Sequence, residues 1–146
     1  MYISSANIFS FLAVATTFTA ALPSSLDTRG TTKVDPNSVT GTVCTDSSTK
    51  LVSHDINVAL LSICGSIAGT IQQCAGNPTE TTGTSGTASF TLKAATDGTT
   101  INITKGRWEH CVAAARATCG DSPLTSTCIG GADGNKANVD FTLSST

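Results

Sequence analysis

Six cysteines, Cys44, Cys64, Cys74, Cys111, Cys119 and Cys128, are the tightest constraint on what this 146-residue chain can become. Their number is even, no C-x-x-C pair occurs among them, and an apolar run precedes them near the amino terminus. These features together predict three disulfides formed in an oxidising export route. Metal ligation fits poorly, because the two histidines, His54 and His110, are separated by 55 intervening residues, a spacing that suits no zinc site. Aromatic residues make up only 5% of the chain, so its core is small and covalent cross-links are needed to hold it.

The run from Ile8 to Ala21 has the length of a signal-peptide core and is too short to span a bilayer, which needs about 20 apolar residues. Small residues at Thr19 and Ala21 suit cleavage before Leu22, although no Lys or Arg precedes the run. Residues 1–21 are therefore expected to be a signal peptide. Residues 22–38 are polar and carry prolines, as a flexible leader or pro-segment does, and Arg29 is a single-residue processing candidate. The folded domain is expected to run from 39 to 146, secreted and extracellular, with no membrane span in the mature protein. Charge is sparse, at 12% of residues and a net −2, with no basic cluster. That argues against nucleic acid or anionic lipid as a partner.

Hydrophobic periodicity gives the element order. Residues 39–45 alternate, with Val39, Gly41 and Val43 on one face and Cys44 on the other, which predicts a first strand. Ile56, Leu60, Ile63, Ile67 and Ile71 recur at intervals of three and four, predicting one helix of about five turns that extends to Cys74. Ser53 or Asp55 is its candidate cap. Ala88, Phe90 and Leu92 alternate, Asp97-Gly98 signals a turn, and Ile101 and Ile103 resume the alternation, which reads as a hairpin. Trp108, Cys111, Val112, Ala115 and Cys119 share one helical face, with Gly120 as the closing residue. A Gly-rich bend or bulge over 128–138 leads to a last strand bearing Val139, Phe141 and Leu143. The expected architecture is an α+β, two-layer sandwich in the order β-α-β-β-α-β, a ferredoxin-like split βαβ. It has a four-stranded antiparallel sheet with two helices on one face.

Sequence alone leaves the cysteine pairing open, but this topology narrows it. Cys64 and Cys74 lie about 15 Å apart along the first helix, and Cys111 and Cys119 about 12 Å apart along the second. Antiparallel helices then match Cys64 with Cys119 and Cys74 with Cys111. Cys44 and Cys128 remain, on first and last strands expected to be neighbours. The expectation is a two-helix clamp closed by a third bridge between strands.

Glu109-His110-Cys111 looks like an acid, a base and a nucleophile, yet successive helical residues diverge by about 100° and cannot form a relay. An even cysteine count also leaves no free thiol for catalysis. A ribonuclease-like pairing of His54 with His110 needs them close together, and the topology puts them at opposite ends of the sandwich. No G-x-S-x-G occurs, since Gly65-Ser66-Ile67-Ala68-Gly69 has the wrong spacing. No catalytic residue, metal or cofactor is expected. Trp108 either covers the core or anchors a partner. Asn102 heads the only N-x-[ST] sequon, with alternation placing it on the open sheet face as a candidate glycosylation site.

With these elements in hand, the mature region resembles the killer-protein-six-like family of small secreted fungal proteins, named after a virally encoded killer toxin of smut fungi. The likeness rests on the Cys-bearing helix DINVALLSICGSIAGTIQQC, the second Cys-bearing helix WEHCVAAARATC and the closing strand ANVDFTLS, and covers about 39–145. The resemblance implies an α/β sandwich and a role as a cysteine-rich effector in virulence or as a killer toxin against competing fungi, with no catalytic residues. The chain has no dibasic site to release separate toxin subunits. The expected partner is a host or competitor receptor protein, met in the plant apoplast or at a cell surface by a monomer or weak dimer.

Overall fold

The computed structural model describes residues 34–146, so the expected signal peptide and all but the end of the leader lie outside the described residues. The part of the leader that is described has structure of its own. Pro36–Ser38 form a 3₁₀ turn, and Asp35 Oδ1 accepts from the Asn37 N–H at 2.9 Å.

Five strands and two α-helices follow: β1 (Val39–Cys44), α1 (Ser53–Leu61), β2 (Glu80–Ser85), β3 (Ala88–Ala94), α2 (Lys105–Cys119), β4 (Leu124–Ala132) and β5 (Ala137–Ser145). The α+β class, the antiparallel sheet and the three disulfides agree with the expectation. Strand number and order do not. The sheet has five strands in the order β1-β4-β5-β3-β2, and each neighbouring pair is antiparallel. A split βαβ needs its first and third strands parallel at the centre of the sheet. Here β1 is an edge strand and β5 is central. Both helices lie on one face, over a core that includes Ile56, Ile63, Phe90, Leu92, Trp108, Phe141 and Leu143.

Two strands escaped the periodicity for identifiable reasons. The inward residues of β2 are Thr81, Gly83 and Ser85, with no apolar side chain among them. Gly83 is buried because α1 lies directly on it: a Cβ there would run into the Ala59 carbonyl and lie 2.7 Å from the Ile63 nitrogen. Close backbone approach replaces side-chain packing at that point. In β4 the inward Ser126 breaks the apolar alternation of Leu124 and Cys128; its hydroxyl lies 2.8 Å from Thr42 Oγ1, which satisfies it in the interior. The expected bulge in the Gly-rich segment is present, as a register shift between Cys128 and Gly131. The hairpin partner of β3 is therefore β2, joined through Gly86-Thr87, and not the segment around Ile101. Ile101 and Ile103 are buried as expected, but Ile101 makes only an isolated bridge to Ala132.

The first helix is shorter than its stripe suggests. It ends at Leu61, and a 3₁₀ turn over Ile63–Gly65 carries positive φ at Cys64 (54°), Gly65 (73°) and Ser66 (84°). Ile67 stays buried without being helical, and Ile71 is 48% exposed. Ser53 does not cap the helix. Asp55 instead accepts from the Thr87 N–H at 2.8 Å and the Thr87 hydroxyl at 3.0 Å, pinning the β2–β3 turn to α1. These bonds hold its carboxyl below the usual carboxylate range, the backbone bond contributing most. The second helix closes at Gly120 as expected, with φ 63° and its N–H on Arg116 O at 2.7 Å.

All three expected disulfide pairs are replaced. The bridges are Cys44–Cys119, Cys64–Cys74 and Cys111–Cys128. Cys64 and Cys74 could not bridge on one continuous helix, where they would lie about 15 Å apart; after the turn at Cys64 their Cα atoms are 5.1 Å apart. Cys111 and Cys119 lie on the face of α2 that meets the sheet, so they reach down to strands and not sideways to α1. Cys44 was expected to face away from the helices. A bulge with Gly41 at φ 65° shifts the register between Thr40 and Val43 and reverses the alternation beyond it. Val43 is thereby 57% exposed, and Cys44 can meet the end of α2.

Candidate functional site

Two concavities flank α2, and the helix distributes Glu109, His110 and Cys111 among different surroundings. Glu109 lines a groove between α1 and α2, His110 lines a polar cleft near the start of α2, and Cys111 points into the core. Their divergence follows from the helical step of about 100°.

The groove between the helices, about 270 Å³, has an apolar floor of Leu60, Leu61, Val112 and Ala113 beneath a rim of Asn57, Glu109 and Arg116. The rim is held by hydrogen bonds. Arg116 donates to Asn57 Oδ1 at 3.1 Å and to Ser53 Oγ at 2.9 Å, and its guanidinium pairs with the Asp121 carboxylate. These bonds join the carboxyl-terminal half of α2 to the amino-terminal half of α1, so the helices are antiparallel, as expected. By the same geometry His54, beside Ser53, lies toward the opposite end of the helical layer from His110. The two histidines do not form an acid–base pair.

The cleft, about 360 Å³, is lined by Asp35, Ser38, Thr104, Gly106, Arg107, His110 and Asn135. Thr104 caps α2 by accepting from the Arg107 N–H at 3.4 Å, and Arg107 itself donates to the Ile129 carbonyl at 2.8 Å. The Asp35 side chain already serves the 3₁₀ turn. Among the described residues no group of three or more His, Cys, Asp or Glu side chains is placed to hold a metal, and no helix is long and apolar enough to cross a membrane.

Trp108 is not a partner anchor. It is completely buried, and its Nε1 donates to the Leu60 carbonyl at 2.9 Å. Asn102 lies in a loop and not on a sheet face. With its amide oriented to satisfy both neighbours, it donates to the Gly131 carbonyl at 3.1 Å and accepts from the Gly134 N–H at 2.7 Å, tying that loop to the β4–β5 turn. Periodicity singled out neither Leu61 nor Arg116 as a groove residue. An Arg in the last turn of a helix is an ordinary dipole partner, and only the tertiary fold turns this one across α1. A scan of protein-family models, a search of curated proteins and a search of solved structures each found no match to this chain.

Proposed function

We propose that this protein is a secreted, cysteine-rich effector that acts by binding, not by catalysis, with the groove between α1 and α2 as its contact surface. The carrying observation is that groove: an apolar floor that can take a partner's side chain, under a rim with one carboxylate and one guanidinium that can orient it. Three disulfides that use all six cysteines support an extracellular setting and leave no thiol for nucleophilic chemistry. The resemblance to killer-toxin-like fungal proteins supplies the biological context, virulence in a plant apoplast. Low charge argues against direct membrane lysis, so a receptor protein is the proposed target.

The test applies the purified mature protein to plant leaves and to competing fungi side by side, together with an Ala113→Arg variant that fills the groove. A leaf response lost in the variant is the expected result. Growth inhibition of fungi without a leaf response would replace the effector reading with a killer toxin. Hydrolysis of RNA abolished by His110→Ala would overturn the binding role altogether.

A further inference from the structure

The two edges of the sheet are built differently. On β1 the pairing is broken by the bulge at Gly41, and the strand ends in the Cys44–Cys119 bridge. Bulges of this kind turn an edge away from further pairing. The other edge, β2, runs without a break through six registered pairs, from Glu80↔Lys93 to Ser85↔Ala88. It contains no proline, no lysine and no bulge. Three of its six residues are threonine, a type that favours strands.

The backbone of β2 has a definite outward set. The Ala94 N–H donates to the Thr79 carbonyl at 3.0 Å, which marks 79↔94 as a hydrogen-bonded pair continuing the same register. Antiparallel pairs alternate between bonded and non-bonded. Thr81, Gly83 and Ser85 therefore direct their N–H and C=O groups toward β3, and Glu80, Thr82 and Thr84 direct theirs away from the sheet. The side chains of these last three residues are also exposed.

We propose that β2 is the pairing edge for a second copy of this chain. Two β2 strands meet antiparallel about a two-fold axis at Thr82, forming one continuous ten-stranded sheet. In this register Thr82 opposes the partner's Thr82, and Glu80 opposes the partner's Thr84. The outward groups of each pair then face each other, and the two Glu80 carboxylates do not. Within each copy Glu80 already neighbours Lys93 across the β2–β3 ladder, so the joined edge carries balanced charge. A second copy satisfies this edge because the arrangement is isologous: the same three residues supply both halves of the contact. The contact is a single short strand, so the dimer is weak and depends on concentration. The inference rests on the sheet and not on the helix groove, so it can fail without touching the effector reading.

Sedimentation equilibrium of the mature protein over a range of concentrations tests it, with Thr82→Lys, Thr84→Lys and Thr142→Lys as variants. The wild type is expected to show a reversible monomer–dimer equilibrium. Thr82→Lys sets two ammonium groups opposite each other and should weaken association by about tenfold or more, with an unchanged circular dichroism spectrum. Thr84→Lys brings each new lysine opposite the partner's Glu80 and should not weaken it. Thr142→Lys alters the interior strand β5 and should leave association as it was. A wild type that stays monomeric at its highest soluble concentration would overturn the proposal, as would a dimer unaffected by Thr82→Lys in a folded variant.

Discussion

Replacing Trp108 with alanine is expected to lower the folding stability by about 3–5 kcal/mol, among the largest effects of any single substitution in this chain. The indole is fully buried between sheet and helices. It meets Phe90 and Phe141 edge to face, with ring centroids 5.2 Å and 5.0 Å away, in the geometry that aromatic quadrupoles favour. Its Nε1 also satisfies the carbonyl of Leu60, in the last turn of α1, where carbonyls lack helical partners. Alanine removes the ring packing, the hydrogen bond and the tie between the two helices together. Small domains hold only about 5–15 kcal/mol in total, so the loss is a large share. Urea unfolding followed by far-ultraviolet circular dichroism measures it, since Trp108 is the only tryptophan available for fluorescence. A loss below about 1 kcal/mol would mean that the indole is not the hub of the core.

The second large effect is expected from the double replacement Cys111→Ala with Cys128→Ala. Both residues are completely buried, and their bridge joins the middle of α2 to β4 across a separation of 17 residues. Releasing a loop of that size costs roughly 3 kcal/mol through the entropy of the unfolded chain. The cavity left by two missing sulfurs adds about 1 kcal/mol. The double variant is the informative one, because a single replacement leaves a buried thiol free to exchange. Denaturant unfolding of the oxidised proteins compares the two directly. Equal midpoints would show that this bridge adds nothing to the hold that core packing and the Cys44–Cys119 bridge already have on α2.

The large apolar side chains were legible in the sequence, and the backbone departures were not. Helix α2 follows its stripe from Trp108 to Cys119 and ends at its glycine, because buried residues at intervals of three and four, with a C-cap, leave little else to form. β3 and β5 alternate cleanly, and their inward residues are buried. In β2 the inward positions fall on Thr81, Gly83 and Ser85, and in β4 Ser126 interrupts Leu124 and Cys128, so neither strand shows an unbroken hydrophobic alternation. The stripe from Ile56 to Ile71 was misleading in another way. Ile67 needed burial, and a loop clasped by Cys64–Cys74 delivers it as well as a helix would. The clamp between helices requires both Cys64 and Cys74 on α1, and it fails because that helix ends at Leu61.

The candidate groove was only partly legible. Leu60 and Val112 lie on the predicted stripes, but Arg116 acquires its place on the rim from Asn57, Ser53 and Asp121, and the last of these is a loop residue. The divergence of Glu109, His110 and Cys111 was legible, because it needs only the helical step.

The central claim is that two disulfides fasten α2 to the sheet, so that both cysteines of the stretch GRWEHCVAAARATC serve as anchors of the helix. Mass-spectrometric mapping of peptides cut under non-reducing conditions tests this most directly. The account predicts linked fragments joining Cys44 to Cys119, Cys64 to Cys74 and Cys111 to Cys128; recovery of Cys64 linked to Cys119, or of Cys74 linked to Cys111, would contradict it.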